Sequence, residues 1–252
     1  MLNWAARYFP ILRVLRARIP EGQPILEVGS GSYGLAKFYR RPFVGCDVNF
    51  PDSPRRPMLP VLGSATHLPF QGASFDAVIV SDVLEHVPPD HRRDVIHEAL
   101  RVARKLVVFG FPSGPSALRL DRQLLQDYSR LGRAVPGWLE EHMRYPYPDQ
   151  DLFNGLEAEW KIESLSNERL WVHYWMSRLE IHFSWNLLFS LLLRYMPWIV
   201  ERVLRGADGE PAYRKIVLMC RRDRGGPSVA RQTDPGYSER SRYAVSSENR
   251  SR

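Results

Sequence analysis

Apolar residues along this chain fall in short runs divided by glycine, proline and stretches of helical period. Pro24–Val28, Phe43–Val48, Leu59–Leu62, Ala77–Val80 and Leu106–Phe111 are four to six residues long, the length of buried strands rather than helices. Residues 2–18 and 35–40 read as helices, and Pro89–Arg104 repeats its apolar positions at Val95, Ala99, Leu100 and Ala103 with helical spacing. Strands alternating with helices in this way predict a parallel sheet covered on both faces.

After Pro115 the pattern changes. Residues 116–131 read as a polar helix, and residues 132–155 as a loop containing Pro136, Pro146 and Pro148. Trp160–Leu165 and Tyr213–Cys220 are a sixth and a seventh strand, on either side of a helical, aromatic-rich stretch over 169–204 that breaks near Pro197. From Arg222 onward the chain is rich in Arg, Ser and Gly, and 222–252 reads as a disordered basic tail. The expected organisation is one domain over 1–221. It comprises an N-terminal helix (1–19), a ligand-binding half (24–112), a helical elaboration (113–210) and a closing strand (211–221).

Composition changes this picture little. A net charge of +7 favours anionic partners without choosing among nucleic acid, phosphorylated substrates and a membrane surface. Nucleic acid is disfavoured, because the basic residues are scattered and no binding motif accompanies them. Cys46 and Cys220 each lie in an apolar run and read as small buried residues, with no spacing for a disulfide framework or a zinc site, which fits a reducing, cytoplasmic setting. Arg7, Arg13, Arg16 and Arg18 interrupt the first apolar residues, so the N-terminus reads as a basic amphipathic helix rather than a signal peptide. The longest apolar stretch, Phe183–Leu193, falls short of the roughly 20 residues that span a bilayer.

The run Glu27-Val28-Gly29-Ser30-Gly31-Ser32-Tyr33-Gly34 follows a strand and opens a helix. Gly29 permits a tight turn, and Gly31 removes a side chain where backbone must approach a ligand. Alone, the glycine spacing is a weak nucleotide signal. Asp47 strengthens it: near the end of the next strand, a carboxylate can accept both hydroxyls of a ribose. The segments Gly63–Phe70 and Ser74–Val87 follow in order along the same predicted sheet.

With these pieces in place, residues 24–112 resemble the class I, Rossmann-like S-adenosylmethionine-dependent methyltransferases, in the group that includes quinone and small-molecule methyltransferases. The resemblance implies a doubly wound, mostly parallel seven-stranded sheet with a helical elaboration, and S-adenosyl-L-methionine as cofactor. It places Glu27 near the amino acid end of that cofactor and Gly29, Ser30 and Gly31 along its methionine and ribose portions. It places Asp47 on the ribose, Ser64, Ala65 and Thr66 around adenine, and Ser81 and Asp82 beside the methyl group. Tyr33 departs from the family pattern by standing where a third glycine is usual, with Gly34 one position later. Ser64 stands where an Asp often meets adenine. A nicotinamide-dependent oxidoreductase is the rival reading of the same glycines. Glu27 argues against it, since a carboxylate would repel a pyrophosphate, whereas a sulfonium and an ammonium favour acids.

Methyl transfer is an in-line displacement that needs alignment and exclusion of water, and a base only where the acceptor must lose a proton. Asp82 and His86 are the candidate catalytic residues, His86 as general base; the competing role for Glu85-His86 is to fix the start of the next helix. His142, with Glu140, Glu141 and Tyr145, reads equally as part of an acceptor lid or as a solvated loop. His173 and His182 read as packing residues, and no Cys/His cluster suggests a metal. Arg119, Arg122, Arg130 and Arg133 read as a solvated helix face, with a phosphate-bearing substrate as the alternative. Trp160, Trp171, Trp175, Trp185 and Trp198 are interleaved with Phe183, Leu187, Leu188, Leu191 and Leu192. Apolar residues around so much of the circumference fit a buried helix or a homodimer interface better than a peripheral membrane contact through 181–205, with Arg194, Arg202 and Arg205 at headgroups. The expected function is methylation, with oxygen favoured, of a small-molecule, sugar or glycolipid-type acceptor. A non-catalytic binding or regulatory protein on the same fold is the alternative.

Overall fold

The computed structural model describes residues 2–181 and 183–222; His182 and the predicted tail from Asp223 lie outside the described residues, as do the side chains of Phe183, Ser184 and Asn186. Helix α1 (Leu2–Arg18) precedes β1 (Ile25–Val28), β2 (Phe43–Asp47), β3 (Met58–Leu62) and β4 (Phe75–Ser81). Then come α2 (Arg92–Val102), β5 (Ala103–Pro112), α3 (Gly114–Arg130) and α4 (Gly137–His142). The chain closes with β6 (Trp160–Arg169), α5 (Leu170–Glu180), α6 (Phe183–Tyr195), α7 (Pro197–Gly206) and β7 (Ala212–Arg221).

The seven strands form one sheet in the order β3-β2-β1-β4-β5-β7-β6. The first five are parallel; β7 runs antiparallel to both β5 and β6. This is the predicted doubly wound, mostly parallel sheet. Side chains alternate between its faces. Ile25, Ile79, Leu106, Val108, Ile216 and Leu218 point into one core with α1, Met176, Leu193, Val200 and Leu204. Leu26, Val78, Val80, Val107, Phe109, Val217 and Met219 point into the other, against Val95, Ile96, Ala99 and Leu100 of α2.

Three expectations are corrected. Residues 35–40 do not form an α-helix: Gly34–Lys37 is a single 3-10 turn. The surface such a helix would cover is taken by α1, whose Phe9 ring meets Phe38 edge-on at 5.0 Å. Helix α1 buries Ala5, Ala6, Tyr8, Phe9, Ile11, Leu12 and Leu15. Residues 132–155 are not all loop, since Pro136 leads directly into α4 and Gln150–Phe153 forms a 3-10 turn. The stretch over 169–204 is not a largely buried helix. It is three helices packed in sequence, α5 on α6 and α6 on α7, and Trp171, Trp175, Trp185, Leu187, Leu188, Leu191, Tyr195, Trp198 and Val203 all face outward. Their inner faces rest on α1, and α5 also packs on α3, β6 and β7.

Candidate active site

The carboxyl ends of β3, β2, β1 and β4 lie side by side, in register at Asp47↔Leu62, Val28↔Cys46 and Val28↔Val80. One sheet edge thereby gathers Gly63–Thr66, Asp47, the glycine loop and Ser81–Asp82. This is the edge at which ligands of open α/β sheets bind.

Three glycines shape the loop differently. Gly29 (φ +71°) donates its N–H to the Cys46 carbonyl at 2.8 Å, and a β-carbon there would overlap the Val83 side chain. Gly34 (φ +38°) admits the Glu27 carboxylate, which a β-carbon would displace. This third glycine therefore acts one position later than the family pattern, leaving Tyr33 at the surface. Gly31 (φ +51°) faces open space: nothing lies within 4 Å of where its β-carbon would be. Its N–H donates to Asp47 Oδ2 at 2.7 Å. Between them, Ser30 is buried and turns its hydroxyl back to the Gly31 carbonyl.

Glu27 lies beneath the loop, wholly buried, with both oxygens engaged within the protein. Oε1 accepts from the Tyr8 hydroxyl at 2.7 Å and Oε2 from Leu35 N–H at 2.8 Å. Burial outweighs these donors and raises its pKa to about 7. Glu27 thus braces the loop against α1. Asp47 is half-buried; beyond its bond to Gly31, Oδ1 accepts from Asn49 N–H at 3.3 Å, so each oxygen retains a lone pair. Gly63 N–H donates to the Asp47 carbonyl, which sets the Ser64–Thr66 turn beside it. There the Ser64 and Thr66 hydroxyls lie 2.8 Å apart, with Ala65 half-buried between them.

At the end of β4, the Ser81 hydroxyl is buried with no hydrogen-bond partner among the described residues. Asp82 adopts a left-handed conformation (φ +53°) and pairs with Arg7 of α1 and Arg214 of β7. Burial pushes its pKa up, but Arg214 and then Arg7 overcome that and hold it at about 2.

Sequence reasoning missed what lies behind Asp82. Arg214 also donates to Glu168 Oε2 at 3.0 Å, and Glu168 Oε1 lies 2.9 Å from His173 Nδ1. His173 is therefore a charged-network residue, stacked on Tyr213 at 3.4 Å, rather than apolar packing. Buried Asp121 accepts from Tyr213 and Tyr147 and lies 3.1 Å from His142 Nδ1. His142 is buried too, and Gly137–His142 is a helix rather than a solvated loop. Its Nε2 faces Glu85 Oε1 at 3.8 Å, and its ring sits 5.1 Å from that of His86. His86 Nδ1 meets the exposed Glu141 at 3.3 Å; burial and the neighbouring His142 lower the His86 pKa. Arg214 could have drawn notice as a charge opening an apolar strand; the pairing of His142 with Glu85 left no local signal. Arg119, Arg122, Arg130 and Arg133 are exposed.

Residues 26–109 match the family model described as a methyltransferase domain, about a third of the chain. The matched segment, which holds the glycine loop, Asp47 and the end of β4, is that of a methyltransferase domain. Among solved structures it is similar to magnesium protoporphyrin IX methyltransferase of Synechocystis PCC 6803 with bound SAH, at 13% identity and TM-score 0.47, covering 88% of this chain and 83% of that one. A SAM-dependent methyltransferase of Methanosarcina mazei is similar at 14% identity and TM-score 0.46, covering 83% and 96%. No curated protein matches the sequence significantly.

The methyltransferase-domain family uses S-adenosylmethionine, and the residues present fit it. Open space beside Gly31 and spare lone pairs on Asp47 suit a ribose, and the Ser64–Thr66 hydroxyls suit an adenine edge.

Proposed function

We propose that this methyltransferase O-methylates an amphiphilic or lipid-linked small molecule that it meets at a membrane surface. The observation that carries this reading is the outward face of α5–α7. There Trp171, Tyr195 and Trp198 are 61%, 70% and 67% exposed, among exposed Leu187, Leu188 and Leu191. Arg194, Arg202 and Arg205 flank them, also exposed. Aromatic and aliphatic side chains beside arginines are the composition of a helix lying in a headgroup layer. No helix among the described residues is long and apolar enough to cross a membrane.

When bound, S-adenosylmethionine supplies an electrophilic methyl group on a sulfonium. Asp47 and Gly31 would hold its ribose, and Ser64, Ala65 and Thr66 its adenine. Ser81 and Asp82 would border the acceptor side, and the half-exposed His86 would take the proton the acceptor oxygen must lose. Helix α1, tied down by Arg7 to Asp82 and by Tyr8 to Glu27, excludes water from that end.

The test incubates purified protein with methyl-labelled S-adenosylmethionine and a cellular lipid extract, with and without anionic phospholipid vesicles. Label should enter organic-soluble product, faster with vesicles, and the protein should float with them. Label confined to water-soluble products, with no flotation, rejects the membrane-surface reading. A dimer that buries α5–α7 would give that result and appear in sedimentation.

A further inference from the structure

Glu85 is the most anomalous group in the molecule. It is wholly buried, and no hydrogen-bond donor among the described residues reaches either carboxylate oxygen. Nearby cations are committed elsewhere. Arg7 and Arg214 pair with Asp82, and Arg92 donates to the Val87 and Pro146 carbonyls. A buried carboxylate without a partner must take a proton or a cation.

Two imidazoles face it. Glu85, His86 and His142 each offer one donor atom, and these atoms lie within 4.8 Å of one another. His142 Nε2 faces Glu85 Oε1 while its Nδ1 is held by Asp121. A carboxylate behind one ring nitrogen, with the other nitrogen turned to a shared point, is how ligating histidines are fixed in tautomer and direction. His86, half-exposed and turned to Glu141 at the surface, is free to close the set.

We propose that Glu85, His86 and His142 form a binding site for a divalent transition-metal ion of the zinc class. Two imidazoles and one carboxylate are a donor set that this class takes with a position left open. Bonds of about 2.0–2.2 Å put ligand atoms roughly 3.3 Å apart, so the 3.8 Å pair needs to close by about 0.5 Å and the widest pair, within 4.8 Å, by no more than about 1.5 Å. The ion would neutralise Glu85, and its open position would bind an acceptor hydroxyl and ease loss of its proton. That last role rests on the O-methylation reading; the binding site does not.

The experiment uses the full chain, stripped with chelator and dialysed. Titration with Co²⁺ should give visible d–d bands of a low-symmetry nitrogen/oxygen site at one equivalent, and Zn²⁺ should bleach them. Calorimetry with Zn²⁺ should show affinity lowered at least about 100-fold in Glu85→Gln and in His142→Ala. Circular dichroism verifies their folding, and Glu85→Gln keeps the side-chain shape. No uptake of Co²⁺ or Zn²⁺ by the stripped wild-type chain, or uptake undiminished in both variants, overturns the proposal. Neither readout needs cofactor or acceptor, so failure to find a methylated product tells against the proposed function alone.

Discussion

Arg214 donates from Nε and Nη2 to the two carboxylate oxygens of Asp82, at 3.1 Å each, joining the start of β7 to the end of β4. Both side chains are 5% exposed, and Arg214 also serves Glu168. Removing the guanidinium breaks two buried ion pairs and leaves Asp82 only Arg7 and Glu168 only His173 for charge balance; loss of a buried partner typically costs about 3–5 kcal/mol. Arg214→Met should lower stability by about that much in urea denaturation. Adding Asp82→Asn should recover part of the loss, because one of the stranded charges is then gone.

Gly29 and Gly31 should separate folding from binding. Gly29→Ala forces a β-carbon onto Val83 at a positive φ, so it should cost about 2 kcal/mol or more of stability. Gly31→Ala meets nothing and should cost about 1 kcal/mol from backbone strain alone. Its methyl would occupy the space beside Asp47, so S-adenosylmethionine affinity should fall by about tenfold or more. Thermal unfolding and calorimetry on the two variants check both halves.

Asp47→Ala removes charge-assisted hydrogen bonds to a ribose, each contributing roughly 1.5–3 kcal/mol. S-adenosylmethionine binding should weaken by at least about tenfold. Unchanged affinity in calorimetry would show that the cofactor lies elsewhere along the sheet edge.

Glu27 predicts a pH dependence. Its pKa is about 7 folded against 4.5 as the unfolded reference. Because the folded value is raised, the folded chain retains a proton that the unfolded chain releases. The associated stability is present below pH 4.5 and is lost as pH rises through about 7, to an extent of about 3 kcal/mol. Glu27→Gln keeps an acceptor for Leu35 N–H and cannot ionise. The stability difference between wild type and variant should therefore change across that window, measured by denaturation at a series of pH values.

Much of this site was legible because its parts are local. Strand, glycine turn and carboxylate recur at short spacing, so Gly29, Gly31 and Asp47 could be placed from the sequence, and parallel pairing alone brings them to one edge. Gly34 shows the limit: the offset from the family pattern was visible, but that it admits Glu27 emerges only in three dimensions. Glu85, His142 and Asp121 were not legible as a cluster, because Glu85 follows β4 while Asp121 and His142 stand on separate helices, α3 and α4, beyond β5, and no periodicity links them. Trp171 and Trp198 misled, since an apolar helix has the same sequence pattern whether its faces are covered by protein or left bare.

The sequence by itself determined the sheet, through alternating apolar runs whose length and period admit few other structures, and the cofactor-binding edge, through glycine conformations and a carboxylate set by local turns. The tertiary structure decided what surrounds that edge. Helix α1 took the place of a helix after the loop, Arg7 and Arg214 converged on Asp82, and the imidazoles met Glu85. Those outcomes depend on which distant segments come to share one volume, and there burial and charge balance, rather than local propensity, fix the partners.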